Sequence, residues 1–254
     1  MANYDFPTEV ISLPSQGKCY SEDNPLSSGE IEIKYMTAKE EEILASQNLI
    51  RKGVVLDKLF ESIIVDKKVN IDDIILGDKN AIMLAARILG YGPQYAVQMT
   101  DSYGDDVETS VDLGKVETKE IDFSILSSDN RYKFKTSTGK ELEFKLLTHG
   151  DEKKIDADVR ALSRLNKKAG RDTSSELTTR YRYMILSVDG DESTQSITKF
   201  INTQFLTRDT RAFRKEISKI QPDVNMEFEF ENPETGEKEV KPIPMGVGFF
   251  WPSE

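Results

Sequence analysis

Two stretches of this chain, Ile31-Glu32-Ile33-Lys34-Tyr35-Met36-Thr37 and Leu142-Glu143-Phe144-Lys145-Leu146-Leu147-Thr148, align residue by residue at a spacing of 111 positions. Each begins two to three residues after a glycine, Gly29 or Gly139. In both, apolar side chains alternate with Glu and Lys, the period-two pattern of a strand with one buried face. Each threonine has an acidic residue three positions later, Glu40 after Thr37 and Asp151 after Thr148. That is capping-box spacing: the hydroxyl can accept a backbone N–H of the new helix while the carboxylate reaches back and favours the positive end of the helix dipole. A strand, a cap and a helix are therefore written twice, and a chain built this way is constrained to an α+β fold with two related halves.

The segments after each copy correspond more loosely. Val55 to Ile64 has helical apolar spacing, and Asp78 is placed to cap a helix from Lys79 to Leu89 that Gly90-Tyr91-Gly92-Pro93 terminates. In the second half Leu177 to Val188 and Ser193 to Phe205 read as helices, with Asp209 capping Arg211 to Ile220 before Pro222. Extended segments then flank polar turns. They are Tyr95–Met99 and Val107–Leu113 around Thr100-Asp101-Ser102-Tyr103-Gly104, and Val224–Phe230 and Glu239–Val247 around Asn232-Pro233-Glu234-Thr235-Gly236. Each half thus reads as strand, helix bundle, β-hairpin. Residues 114–129 read as the connection, so the halves are expected to be 1–129 and 130–254.

Charge narrows the functional classes. With 34 Lys and Arg against 45 Asp and Glu the formal net charge is −11, which argues against a nucleic-acid binder that works by neutralising phosphates. The 12 Phe and 9 Tyr are enough for packed cores rather than disorder. One cysteine, Cys19, excludes an internal disulfide framework, and with one histidine, His149, it cannot supply a tetrahedral zinc set. No window approaches the ~18 apolar residues of a membrane span, and the first residues lack a signal-peptide pattern, so the expectation is a soluble, unexported chain. Cys19, in the polar turn Gly17-Lys18-Cys19-Tyr20, reads as an incidental surface or edge residue, and His149 as a helix-start residue. No phosphate loop occurs, and Asp189-Gly190-Asp191-Glu192 and Asp101 to Asp106 lack the closing glutamate of a calcium loop. The sequence therefore implies no catalytic residue, no metal and no cofactor.

What remains is surface. Arg160, Arg164, Lys167, Lys168 and Arg171 form a basic run that Arg180, Arg182, Arg208, Arg211 and Arg214 extend, in contrast to an acidic first half. Such a run is either a solvated helix face or a docking surface for an acidic partner, because charge asymmetry steers encounter and fixes register. The end of the sequence, Pro242 to Pro252, concentrates Phe249, Phe250 and Trp251. Those rings either pack as a last strand into the core of the second half or form an exposed anchor for a partner. The expected contact residues are Phe249, Phe250 and Trp251 as anchors, with Arg160, Arg164, Arg208, Arg211 and Arg214 as guides. An anchor could be cut away without changing the melt, whereas a core strand could not.

Leu13-Pro14-Ser15-Gln16-Gly17, the run Gly29 to Glu41 and the closing Phe249-Phe250-Trp251-Pro252 resemble the baseplate-hub and baseplate-assembly proteins of T-even-type contractile-tailed phages. The resemblance covers nearly the whole chain and rests on the order of short motifs. It implies a non-enzymatic protein of the virion tail baseplate, or of the host cytoplasm during assembly, whose partners are other tail and baseplate proteins. It also implies hairpins that resemble zinc ribbons, since relatives place C-P-x-C-G knuckles where this chain has its two polar turns. Here Asn232 and Thr235 stand in place of thiolates, and Thr100-Asp101-Ser102-Tyr103-Gly104 keeps only its glycine, so coordination is lost. Two alternatives are an assembly chaperone absent from the finished particle and a hydrolase using scattered carboxylates. The second lacks an assembled nucleophile, base and oxyanion donors.

Overall fold

In the computed structural model, which describes residues 7–100, 106–168, 175–232, 236, 238–245 and 249–250, the alternating run becomes strand β2, Glu30–Lys34, with Ile31 and Ile33 buried. It pairs antiparallel with β1, Thr8–Ser12, in the register that sets Ile11 opposite Ile31. Helices α1 (Ala38–Ala45), α2 (Gln47–Lys52) and α3 (Val55–Ile63) follow, and a 3-10 turn at Ile71–Asp73 leads into α4, Leu76–Tyr91. A hairpin of β3 (Gln94–Thr100) and β4 (Asp106–Asp112) comes next. Then β5 (Tyr132–Lys135) and β6 (Glu141–Phe144) pair in the register Phe134 opposite Leu142, and α5, His149–Lys168, begins. Helix α6 (Glu176–Met184), strand β7 (Ile185–Val188) and helices α7 (Thr194–Thr203) and α8 (Thr207–Ile220) precede the last hairpin, β8 (Glu227–Glu231) with β9 (Lys238–Pro242). Among the described residues the fold is thus mixed α+β: eight α-helices, three two-stranded antiparallel sheets and one three-stranded sheet ordered β5-β6-β7.

Both threonine–acid pairs act at the helix starts where their spacing put them. Glu40 accepts the backbone N–H of Thr37 at 2.8 Å and its hydroxyl at 2.6 Å, and Lys34 Nζ reaches it at 2.9 Å. Asp151 accepts the N–H of Thr148 at 3.1 Å while Thr148 Oγ1 accepts the N–H of Asp151 at 3.3 Å, and Lys145 Nζ donates at 2.8 Å. A lysine at or just past the end of each strand, Lys34 or Lys145, therefore neutralises the buried carboxylate in the first turn of each helix. Burial works to raise the Glu40 pKa, but hydrogen bonds from Ser62, Thr37 and Lys34 outweigh it and hold the group at about 2.

Two expectations are corrected. Asp78 and Asp209 do not cap their helices: α4 and α8 start earlier, at Leu76 and Thr207, so each aspartate sits in the first turn. Their buried carboxylates face a loop of the preceding hairpin instead, Asp78 accepting from Ser15 N at 2.9 Å and Asp209 from Ser137 N at 2.8 Å. The helix expected over Leu177 to Val188 stops at Met184, because β6 offers an open edge and β-branched Ile185 and Val188 fit it. Residues 114–129 run alongside the segment after α8: Lys119 N bonds Asp223 O at 2.8 Å and Asn225 N bonds Glu117 O at 2.7 Å.

The segments before and after residue 130 share one hydrophobic core. At their seam His149 N bonds Ile74 O at 2.8 Å and Leu76 N bonds Leu147 O at 3.1 Å. Gly77 lies so close to the second segment that a Cβ there would stand 1.8 Å from the Pro222 carbonyl oxygen, which no side chain tolerates. Inside, Phe213 of α8 meets Phe134, Phe144, Tyr181 and Phe205 at centroid distances of 5.3, 4.9, 6.0 and 5.7 Å, mostly edge to face.

Candidate functional site

The one imidazole lies in a closed ionic cluster at the seam. His149, the first residue of α5, is 4% exposed and sits with its ring edge-on to Phe60 at 5.8 Å. Its Nε2 is 2.5 Å from Asp57 Oδ1 of α3, and Lys153 Nζ bridges Asp57 at 3.2 Å and Asp72 at 2.7 Å. A Lys79–Glu152 ion pair stands alongside. Ligand atoms of Asp57, Asp72 and His149 come within 4.8 Å of one another, the kind of set that could hold a metal. The Lys153 ammonium already lies between the two carboxylates, so the cluster carries its own cation. Burial pushes the His149 pKa down, ahead of the upward pull from Asp57, so the ring is neutral and donates from Nε2, and its Nδ1 is buried without a partner. A buried, neutral imidazole packed against Phe60 and bonded to Asp57 tethers two segments.

That arrangement fixes a sign. Because the folded His149 pKa lies below the ordinary 6.5, the unfolded chain binds the proton more readily, and the stability His149 contributes is present above that value and lost below it. Urea midpoints should therefore fall as pH is lowered from about 7 to about 5, with a slope contribution of up to about 1.4 kcal/mol per pH unit. His149→Gln should flatten that slope, and an unchanged slope would contradict the assignment.

Cys19 is corrected from a surface position to a core one. It is buried with Sγ 3.7 Å from Tyr132 Oη. Burial pushes its thiol up to about 12, against a smaller opposing effect of the Tyr132 hydrogen bond, so no thiolate nucleophile is available near neutral pH.

The guide residues are placed as follows. Arg208, Arg211 and Arg214 are exposed on α8 at three-residue spacing, which brings them onto one stripe. Arg160 and Arg164 are exposed on α5, where Arg160 lies 4.0 Å from Asp156 and its guanidinium packs over Gly53 at the end of α2. Among the described residues Arg164, Arg208, Arg211 and Arg214 make no ion pair. Arg171 and the turns at residues 101–105 and 233–235 lie outside the described residues.

The C-terminal anchor expectation is corrected for two of its three residues. Phe249 is 0% and Phe250 4% exposed, with Phe249 edge-on to Tyr95 at 5.3 Å and to Phe250 at 5.2 Å. These rings take the core alternative, and they pack on the first hairpin, not only on the second half. Trp251 lies outside the described residues.

Two open grooves stand out. One, of about 640 Å³, lies over the sheet face of Lys133, Lys135, Glu141 and Glu143. Three of its charges have local partners, Lys135 with Glu141 and Glu143 with Arg131. The other, of about 200 Å³, runs between α6 and α8 under Arg180 and Arg214. Both arginines belong to the basic run legible in the sequence, but the groove is not legible there, because its walls come from elements far apart in the chain.

Comparison with protein families returned one described as T4 bacteriophage base plate protein, matching residues 7–251. Comparisons with curated proteins and with solved structures returned no match.

Proposed function

The chain belongs to the T4 bacteriophage base plate protein family, and from that premise we propose that it is a non-enzymatic tail baseplate protein, a hub component or a baseplate assembly factor, that acts by docking on other baseplate proteins. The family carries a structural or assembly role in the tail baseplate. The observation that supports docking is the set of exposed arginines, Arg164 on α5 and Arg208, Arg211 and Arg214 on α8, left without acidic partners among the described residues although acids outnumber bases in the chain. Unpaired guanidiniums on an acidic protein are poised to meet carboxylates elsewhere. The alternative of a carboxylate-based hydrolase finds little support at the one acidic cluster around His149, where the Lys153 ammonium already bridges Asp57 and Asp72.

In the same reading the chain is two copies of one unit, 1–129 and 130–254. Supporting it are the Lys34–Glu40–Thr37 and Lys145–Asp151–Thr148 sets at one spacing, the antiparallel β1–β2 and β5–β6 pairs that set an apolar residue opposite Ile31 and Leu142, and the parallel roles of Asp78 and Asp209. The hairpins β3–β4 and β8–β9 then stand where relatives carry zinc ribbons, without the cysteines. Virion and host cytoplasm are both stations of such a protein, and an assembly chaperone that leaves before completion is the second reading.

The test is complementation of a phage lacking the chain with Arg160→Glu/Arg164→Glu/Arg208→Glu/Arg211→Glu. Titre should fall by about 100-fold or more while the melting temperature stays within about 2 °C. Wild-type titre would contradict docking through this face.

A further inference from the structure

We propose that the groove between α6 and α8 seats an acidic, aliphatic segment of a partner protein, with Arg180 and Arg214 clasping its carboxylates and the Tyr181 hydroxyl completing the contact. This rests on the docking reading above and adds the chemistry of the partner. The floor is apolar, built from Leu147, Met184 and Ile217, and Leu177 stands 47% exposed beside them. At about 200 Å³ the groove is smaller than the roughly 300–1,000 Å³ of small-molecule sites and suits one or two aliphatic side chains.

Charge selects the rest of the occupant. Arg180 and Arg214 line the groove from opposite helices, and neither makes an ion pair among the described residues. Guanidinium forks recognise carboxylates bidentately, and an apolar floor beneath them favours an acid next to Leu, Ile or Val over a bare anion. A polyanion such as nucleic acid is opposed by the net charge of −11.

Tyr181 is the independent sign of a missing ligand. Its side chain lines the groove and is buried, yet its hydroxyl has no hydrogen-bond partner. Edge contacts to Phe205 at 5.3 Å and Phe213 at 6.0 Å hold the ring in place. A buried hydroxyl is rarely left unpaired, and one held rigidly in the wall of a cationic groove is preorganised for an incoming polar group.

The experiment uses the full chain on an array of overlapping peptides of about 15 residues drawn from the baseplate proteins of its phage, beside a copy with every Asp and Glu made amide. Bound peptides should be those placing acids beside aliphatic residues, and the amide copy should not bind. For the tightest peptide, Arg180→Glu/Arg214→Glu should weaken binding by about 100-fold, Tyr181→Phe by about fivefold, and the control Arg51→Glu not at all. Tyr181→Phe should leave the thermal midpoint unchanged or raise it, since it deletes a hydroxyl with no partner. Should the double reversal fail to fold, Arg180→Ala/Arg214→Ala replaces it. Absence of acidic-aliphatic binders, indifference to the groove variants, or a lowered midpoint in Tyr181→Phe would overturn the inference. So would a dimer in sedimentation that the double reversal dissolves, since the occupant would then be a second copy. Incorporation of the same variant into baseplates separates the two readings: normal entry with a reversed groove removes this inference and leaves docking intact.

Discussion

Replacing Phe249 by alanine should lower the unfolding free energy by about 3–5 kcal/mol, the range for deleting a fully buried aromatic ring and leaving a cavity. Phe249 has no exposed surface and packs edge to face with Tyr95 of the first hairpin and with Phe250. Tyr95 is held in turn by its hydroxyl, which donates to the Pro244 carbonyl at 3.0 Å. The end of the chain is thus strapped to β3, roughly 150 residues back in sequence, and loss of one ring loosens two segments together. Deleting residues 249–254 should cost at least as much. Urea unfolding of purified protein measures both. A loss under about 1 kcal/mol would show that the rings contribute little to the core, which is the outcome an exposed anchor requires.

Asp78→Ala should cost a similar about 3–5 kcal/mol, and for an electrostatic reason. The buried Asp78 carboxylate accepts from Ser15 N at 2.9 Å, Ser15 Oγ at 2.7 Å and Tyr20 Oη at 2.6 Å. Burial raises its pKa despite those bonds, so the site is a costly one that the network makes tolerable. Removing the carboxylate leaves three donors facing a void. Asp209 is the internal control: it accepts one backbone N–H, from Ser137, and its Oδ2 is buried with no partner. Asp209→Ala should therefore cost only about 1–2 kcal/mol by the same reasoning. Equal losses at the two positions in urea titrations would contradict the hydrogen-bond argument.

What could be read in advance follows the range of the interactions involved. The caps at Thr37 and Thr148 depend on residues three apart, and both hairpins on short turns between alternating runs, so local spacing sufficed. Strands β1 and β5 were missed because Thr8–Ser12 and Tyr132–Lys135 are short and become strands by pairing with β2 and β6. Strand β7 was hidden inside a helical pattern that ends only because β6 has an edge to fill. Asp78 and Asp209 look like caps because an acid before a helical run usually is one, and only a loop more than 60 residues away reveals their other partner. Cys19 sits among polar neighbours in sequence and under Tyr132 in space. For Phe249 and Phe250, composition showed that apolar mass had to go somewhere but not where. The arginines were legible as charge. Their division into a stripe on α8, a pair on α5 and a clasp over the α6–α8 groove required the packing of helices.

Docking in the baseplate, as proposed, requires a stoichiometric subunit, and quantitative mass spectrometry of purified baseplate intermediates and finished particles measures that ratio. The chain should appear at a fixed whole-number ratio to its neighbours in at least the intermediates, whether or not it persists in the particle. Trace, variable amounts in both, with baseplates completing normally in its absence, would contradict it.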